Sequence, residues 1–242
     1  MRPVDLFNDI RKYCQKHADP KVVKKYQRYF KDSYDAWGLT HELVIAKVKK
    51  VTSAEGVNLN FVLETAPLLI RTGKYEETSI AILMVKAFHK DWSQATFHAV
   101  EKWFGIGINN WAHADFICGE IISLFYQKEM IDYTTLEPWR KAHNKFQRRA
   151  VPVSMIKPLK TAECIDPLFD FIEPMMMDPD REVHQGLGWF LREAWKKQPI
   201  VTEDFLLKWK DTAPRLIFQY ATEKMTPERR LQFRKAKNVE KK

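Results

Sequence analysis

The sequence predicts an all-α protein built from short antiparallel helix pairs. Apolar residues recur at helical spacing almost throughout, as in "SIAILMVKAF" and "DFICGEIISLFYQK". Breaks come about every 15 to 20 residues and carry the N-cap residues and first-turn prolines that are typical of helix starts. Only 8 of the 242 residues are glycine. That scarcity disfavours the many turns of an all-β sandwich or barrel.

A weak repeat of about 40 residues runs through the helical part of the sequence. Trp111, Arg149 and Trp189 each lie near the start of an apolar helix and are 38 and 40 residues apart. A period near 40 residues, made of two helices, indicates HEAT-like repeats that stack into a superhelix. The second helices of such pairs line a concave groove, where we expect three pairs of side chains to meet: Trp111 and Asp115, Arg148 and Arg149, and Trp189 and Arg192.

Composition indicates a globular protein with an anionic partner. Hydrophobic residues make up 45% of the chain and charged residues 29%, and the formal net charge is +9. Nucleic acid is the commonest partner of such a basic protein. The excess is uneven: residues 1–31 hold nine Lys/Arg against three Asp, and residues 223–242 hold eight against three Glu. We expect a single domain over residues 1–242, with about ten final residues as a basic tail.

No membrane anchor or disulfide framework is expected. The chain has no run of 18 uncharged apolar residues, and its first segment lacks the apolar core of a secretory signal. Cys14, Cys118 and Cys164 are odd in number and widely spaced, as reduced thiols of a cytoplasmic protein are. His113 has no second histidine or cysteine at ligand spacing, so neither a metal nor another cofactor is expected.

The stretch "NNWAHADFICGEI", residues 109–121, places Trp111 and Asp115 one turn apart on one helix face. A carboxylate beside an aromatic ring is either a buried structural pair or part of a reactive site. Taken alone, Trp111 and Trp189 fit core packing, and Asp115 fits an acid that complements the helix dipole. Likewise, the arginine doublet at 148 and 149 fits ion pairing between repeats.

Four stretches resemble the HEAT-like repeat alkylpurine DNA glycosylases, the AlkD-like DNA alkylation repair enzymes. "NNWAHADFICGEII" (109–122) matches the family's Trp-x-x-x-Asp helix start. "VHQGLGWFLREAWKKQP" (183–199) matches its Gly-Trp-x-Leu-Arg-Glu helix. "FQRRAVPVSMI" (146–156) and "RYFKDSYDAWGL" (28–39) are similar to an Arg-Arg-Ala helix start and to the amino-terminal segment. The four occur in the family's order, at the period of the repeats.

The resemblance implies a monomeric enzyme that removes cationic N3- or N7-alkylated purines from double-stranded DNA. It implies that Asp115 is the catalytic carboxylate and that Trp111 and Trp189 flank the lesion. Tyr29 would contact the DNA backbone, and Arg148 or Arg149 would hold a phosphate, with Arg149 preferred. The sequence departs from the family between the Trp and the Asp, where it has Ala112-His113-Ala114.

Two other classes of function stay open at this point. A relative without catalytic activity would bind bent or branched DNA through the same groove. A HEAT-type scaffold would bind an acidic protein, and its basic residues would then lie away from the concave face.

Overall fold

The computed structural model describes residues 1–31 and 34–235, and every regular element within them is helical. The predicted all-α class is therefore confirmed. The first nine α-helices are α1 (Pro3–Lys16), α2 (Pro20–Gln27), α3 (His41–Thr52), α4 (Leu59–Ile70), α5 (Tyr75–Ala87), α6 (Gln94–Glu101), α7 (Trp103–Ile106), α8 (Trp111–Ile117) and α9 (Ser123–Gln127). The later helices are α10 (Lys145–Leu159), α11 (Asp166–Ile172), α12 (Arg181–Lys197), α13 (Pro199–Trp209), α14 (Arg215–Ala221) and α15 (Pro227–Leu231).

Short irregular helices connect several of these elements. One π-helical turn, Cys118–Ile122, joins α8 directly to α9. The segments His89–Asp91, Tyr133–Lys141 and Glu173–Met175 are 3₁₀-helical.

The described residues form two compact units, one that extends to Met130 and one that begins at Ile131. The single domain expected over residues 1–242 stays a prediction. The basic tail expected at the carboxyl end falls mostly on residues 236–242, which lie outside the described residues.

The first unit is organised around α5, which is buried along most of its length. Ten consecutive residues of this helix are buried, from Glu76 to Val85. A helix that is buried on all sides must lie at the centre of its unit. Accordingly, α5 packs against α1, α3, α4 and α8. In contrast, α2 has no buried residue at all and stands at the surface.

The second unit is organised around α12, which packs against α10 and α14. Two glycines permit this close approach. A Cβ atom at Gly186 would lie 3.2 Å from the Arg149 side chain, and one at Gly188 would lie 2.5 Å from Cβ of Tyr220. Gly188 has no room for a Cβ atom and Gly186 has little, so the sequence "GLG" permits the close helix spacing in this unit.

One detail of the repeat prediction is wrong. Trp189 lies in the middle of α12, because the helix already begins at Arg181, after Asp180. Arg149 is likewise inside α10, whereas Trp111 is the first residue of α8. The three residues are therefore evenly spaced in the sequence, but they occupy different positions within their helices. No helix of the described residues is long and apolar enough to cross a membrane.

Candidate functional site

The amino-terminal end of α8 is fixed by Asn110. Its Oδ1 accepts a hydrogen bond from the backbone N–H of His113 at 2.9 Å, and its Nδ2 donates to Nδ1 of the same histidine at 2.8 Å. An asparagine at the N-cap satisfies an otherwise unpaired backbone N–H of the first turn. The second bond joins the two side chains as a clamp. Asn110 and His113 together therefore fix the start of α8, and with it the positions of Trp111 and Asp115.

His113 connects α8 to the central helix α5. Its side chain is buried, its Nε2 lies 2.9 Å from the carbonyl oxygen of Tyr75, and its ring stacks on that of Tyr75 at 4.6 Å. Since the carbonyl can only accept, His113 carries its proton on Nε2 and accepts from Asn110 through Nδ1. Burial lowers the pKa of His113 to about 4, against the opposing effect of the Tyr75 carbonyl. The imidazole is therefore neutral at neutral pH.

The residues between Trp111 and Asp115 thus have distinct places. His113 and Ala114 face the interior, and Ala112 lines an open cavity together with Trp111 and Asp115. Asp115 is the fifth residue of α8, beyond its first turn. The helix dipole acts within the first turn, so it does not account for this carboxylate.

The cavity has a volume of about 1010 Å³ and belongs wholly to the first unit. Three residues proposed from the sequence, Tyr29, Trp111 and Asp115, line it together. Its other lining residues come from α2, from the segment that precedes α3, and from α3, α5 and α8; they include Lys25, Tyr26, Phe30, Tyr34, Glu42, Tyr75, Glu76 and Phe116.

Aromatic rings form a continuous wall of this cavity. Phe30 stacks on Trp111 at 5.5 Å and on Tyr34 at 4.5 Å, and Tyr75 meets Phe30 edge-on at 5.9 Å. Trp111 nonetheless keeps 37% of its surface exposed, unlike the fully buried Trp103. Trp111 is therefore not a core residue: Phe30 stacks on its ring, and more than a third of its surface stays accessible.

Cations stand at the α2 side of the cavity. The Lys25 ammonium lies 5.3 Å from the ring centre of Tyr26, and the Arg28 guanidinium lies 4.9 Å from that of Tyr29. Arg28 also donates a 2.9 Å hydrogen bond to the Tyr29 hydroxyl. Tyr29 is 55% exposed, so its ring and the adjoining positive charges are open to a ligand at the surface.

A buried carboxylate fixes the opposite wall. Glu76 is 2% exposed and accepts backbone hydrogen bonds from Trp37, Gly38 and Leu39 at 2.7 to 3.1 Å. A buried carboxylate that accepts several backbone N–H hydrogen bonds is stabilised by them and needs no positively charged partner. The segment before α3 is therefore tied to the amino-terminal end of α5.

The arginine doublet of α10 is occupied by protein partners. Arg148 forms ion pairs with Asp178, at 2.6 Å, and with Asp180, and also bonds the carbonyls of residues 142 and 143. Arg149 is buried and donates to the carbonyl of Glu182 at 2.8 Å. These contacts are of the kind expected if the doublet forms ion pairs within the protein. A phosphate contact for Arg148 or Arg149 stays a prediction.

On α12, Trp189 is half-buried and Arg192 is held by carboxylates. Arg192 pairs with Glu193 at 3.3 Å and with Glu223 at 2.6 Å. Hydrogen bonds from Arg192 and Lys224 hold the pKa of the Glu223 carboxyl below its ordinary value. Arg148, Arg149, Trp189 and Arg192 all belong to the second unit.

Sequence reasoning missed Phe30, Tyr75, Glu76 and the Asn110–His113 clamp. Tyr75 could have been found, because it stands 36 residues before Trp111, about one repeat period earlier. Within the described residues, no group of three or more His, Cys, Asp or Glu side chains could hold a metal ion.

Comparison with known proteins gives a consistent picture. The family model described as "DNA alkylation repair enzyme" matches residues 10–225. The structure is similar to a predicted DNA alkylation repair enzyme from Enterococcus faecalis, with a TM-score of 0.71, 15% identity, and coverage of 87% of this chain and 98% of that one. It is also similar to AlkD2 from Streptococcus mutans, with a TM-score of 0.55, 16% identity, and coverage of 84% and 97%. At these identities the likeness shows the fold. No curated protein matches the chain in sequence.

Proposed function

Because the chain belongs to the DNA alkylation repair enzyme family, we propose that it is a DNA glycosylase that releases cationic N3- or N7-alkylated purines from double-stranded DNA. One observation carries this proposal. Trp111 and Asp115, one turn apart on α8, line the same open cavity in the company of Tyr29 and further aromatic rings. The site thus combines a carboxylate with surfaces that attract a cation.

The carboxylate suits the chemistry of these lesions. A purine alkylated at N3 or N7 carries a positive charge, so its glycosidic bond breaks with little help from an acid. What remains is an oxocarbenium-like sugar that water must capture. Asp115 stabilises that cation and orients or deprotonates the water, as a carboxylate does in glycoside hydrolysis.

The aromatic rings supply selectivity for the charged base. A cation over the face of an aromatic ring gains about 0.5 to 2 kcal/mol, depending on desolvation. Phe30 packs on Trp111 and orients it, and the exposed remainder of Trp111 is available to the lesion. In this proposal, Trp189 of the second unit is the other aromatic residue that flanks the damaged nucleotide.

Contacts with phosphates provide affinity and register. Tyr29 with its neighbour Arg28, and Arg192, are proposed to bind the DNA backbone, and Arg148 or Arg149 is kept as a phosphate contact. Such contacts carry no sequence information. The net charge of +9 supports salt-sensitive binding. The mechanism uses protein side chains and water alone, without a cofactor; the monomeric state and the cytoplasmic location stay predictions.

The decisive experiment measures base release from duplex DNA that carries N7-methylguanine. We expect release well above the spontaneous rate, and a decrease of about 100-fold or more in Asp115→Asn. Binding of undamaged duplex should change little. The matched control is Asp91→Asn, which removes an exposed aspartate of the same unit and should retain the rate of the original chain.

Failure of release in the original chain would refute the glycosylase proposal. If that chain still bound bent or branched DNA with a steep salt dependence, a DNA-binding function without catalysis would take its place. If it bound no DNA, the scaffold for an acidic protein would be favoured.

A further inference from the structure

A cluster of three arginines stands at the carboxyl-terminal end of the second unit. Nη1 of Arg215, the first residue of α14, donates a 2.5 Å hydrogen bond to the carbonyl oxygen of Phe233. That carbonyl belongs to the peptide bond that leads into Arg234. The backbone N–H of Phe233 in turn bonds the carbonyl of Arg230 at 3.3 Å. The guanidinium of Arg215 is therefore joined directly to the turn after α15, which carries Arg234 and is bonded to Arg230 of α15.

Two aromatic side chains, Phe233 and Phe218, hold the cluster in place. The Phe233 side chain is fully buried and anchors the turn between Arg230 and Arg234. Arg215 in addition lies 5.5 Å from the ring centre of Phe218. The three arginines are exposed, but their backbone positions are fixed by these contacts. This arrangement differs from that of arginines spread over a solvated surface.

The described part of the chain leaves the charges of this cluster without an acidic partner. No carboxylate of the described residues forms an ion pair with Arg215, Arg230 or Arg234. Other arginines of the unit do have such partners: Arg140, Arg148, Arg192 and Arg229. Partial desolvation of its guanidinium, together with the charges of Arg234 and Arg230, lowers the pKa of Arg215. Like charges held together in this way favour binding of an anion.

We infer that Arg215, Arg230 and Arg234 form a binding site for the phosphodiester backbone of DNA, separate from the cavity of the first unit. Guanidinium groups bind phosphate oxygens through paired hydrogen bonds. Arg215 lies on α14, Arg230 on α15 and Arg234 in the turn after α15. Helix α14 packs against α12, which carries Trp189 and Arg192. The inference rests on the proposed function, because DNA is taken as the ligand. The site would add a contact to the duplex at a distance from the lesion.

The experiment uses the full chain and undamaged duplex DNA, so that it does not depend on base release. The triple variant Arg215→Gln, Arg230→Gln, Arg234→Gln lowers the formal net charge from +9 to +6. The matched control removes the same charge from three cations that already pair with carboxylates: Lys196→Gln, Lys208→Gln, Arg229→Gln. The affinity of each protein is measured between 50 and 200 mM salt.

We expect the triple variant to reduce the slope of log affinity against log salt by about 2 to 3, since each lost phosphate contact removes about 0.9. The fall in affinity across this salt range should then shrink by a factor of about 40. The control should change the slope by less than about 1. The double variant Arg230→Gln, Arg234→Gln keeps the bond of Arg215 and should lose about 2 from the slope. It serves if the triple variant does not fold.

An unchanged slope, or the same reduction in the triple variant and the control, would overturn the inference. Retained DNA binding with lost binding of polyglutamate would assign the cluster to an acidic protein and overturn it too. A chain without glycosylase activity whose slope falls as expected would refute the proposed chemistry and leave this site standing.

Discussion

Replacement of His113 by glutamine tests the clamp on which the candidate site depends. Glutamine offers an oxygen to Asn110 and an N–H to the carbonyl of Tyr75, as the neutral imidazole does, but it does not titrate. The pKa of His113 is about 4 in the folded protein, because the side chain is buried. In the unfolded chain it returns to about 6.5.

The difference in pKa fixes both the sign and the size of the effect. Above pH 6.5 the imidazole is neutral in both the folded and the unfolded chain, so the titration of His113 costs no stability. As the pH falls below 6.5, the unfolded chain takes up a proton that the folded chain does not, and the original protein loses stability. The loss is about 1.4 kcal/mol at pH 5.5 and about 2.5 kcal/mol at pH 4.5, and it levels off below pH 4.

The free energy of unfolding is measured in urea from pH 8 to pH 4.5 for both proteins. Carboxylates titrate alike in the two, so the difference between the curves isolates His113. We expect that the original chain loses about 2.5 kcal/mol more than His113→Gln over this range. Parallel curves, or a His113 imidazole NMR signal that titrates near pH 6.5, would show that His113 is not the buried neutral link described above.

Three further substitutions follow from the packing. Gly188→Ala should destabilise the chain by about 1 to 3 kcal/mol in urea unfolding, because its Cβ has no room; Gly119→Ala, with nothing within 4 Å, should not. Glu76→Gln should cost about 2 kcal/mol, since it loses an acceptor for a backbone N–H, and the exposed Glu64→Gln is its control. Phe30→Ala should weaken binding of a cationic lesion about three- to tenfold in titrations, with rescue by tyrosine; equal binding by all three proteins would exclude a role for the stack.

The sequence was sufficient for the fold class because helical periodicity is a local signal. It also predicted that Trp111 and Asp115 share a helix face, since a spacing of four residues places side chains one turn apart. The structure agrees, with both residues on the wall of one cavity. The helix-dipole interpretation of Asp115 depended on where α8 begins, and the clamp by Asn110 determines that start.

The partners of single side chains could not be predicted in this way. Arg148 bonds Asp178 and Asp180, which are 30 and 32 residues distant in the chain. The stack of Phe30 on Trp111 joins residues 81 positions apart. Such pairs depend on the packing of helices in three dimensions, and no periodicity within one segment reports them. The interior position of His113 is a similar case, because it depends on contact with α5.

The two walls of the cavity differ in what is required to move them. On one side, the buried Glu76 binds three backbone N–H groups to the most deeply buried helix of the unit. On the other side, α2 buries no residue and so separates from its neighbours at a much lower free energy. Amide hydrogens of α2 should therefore exchange with solvent far sooner than those of α5. We expect a ligand that is too large for the cavity to displace α2 and to leave Glu76 and Trp111 in place.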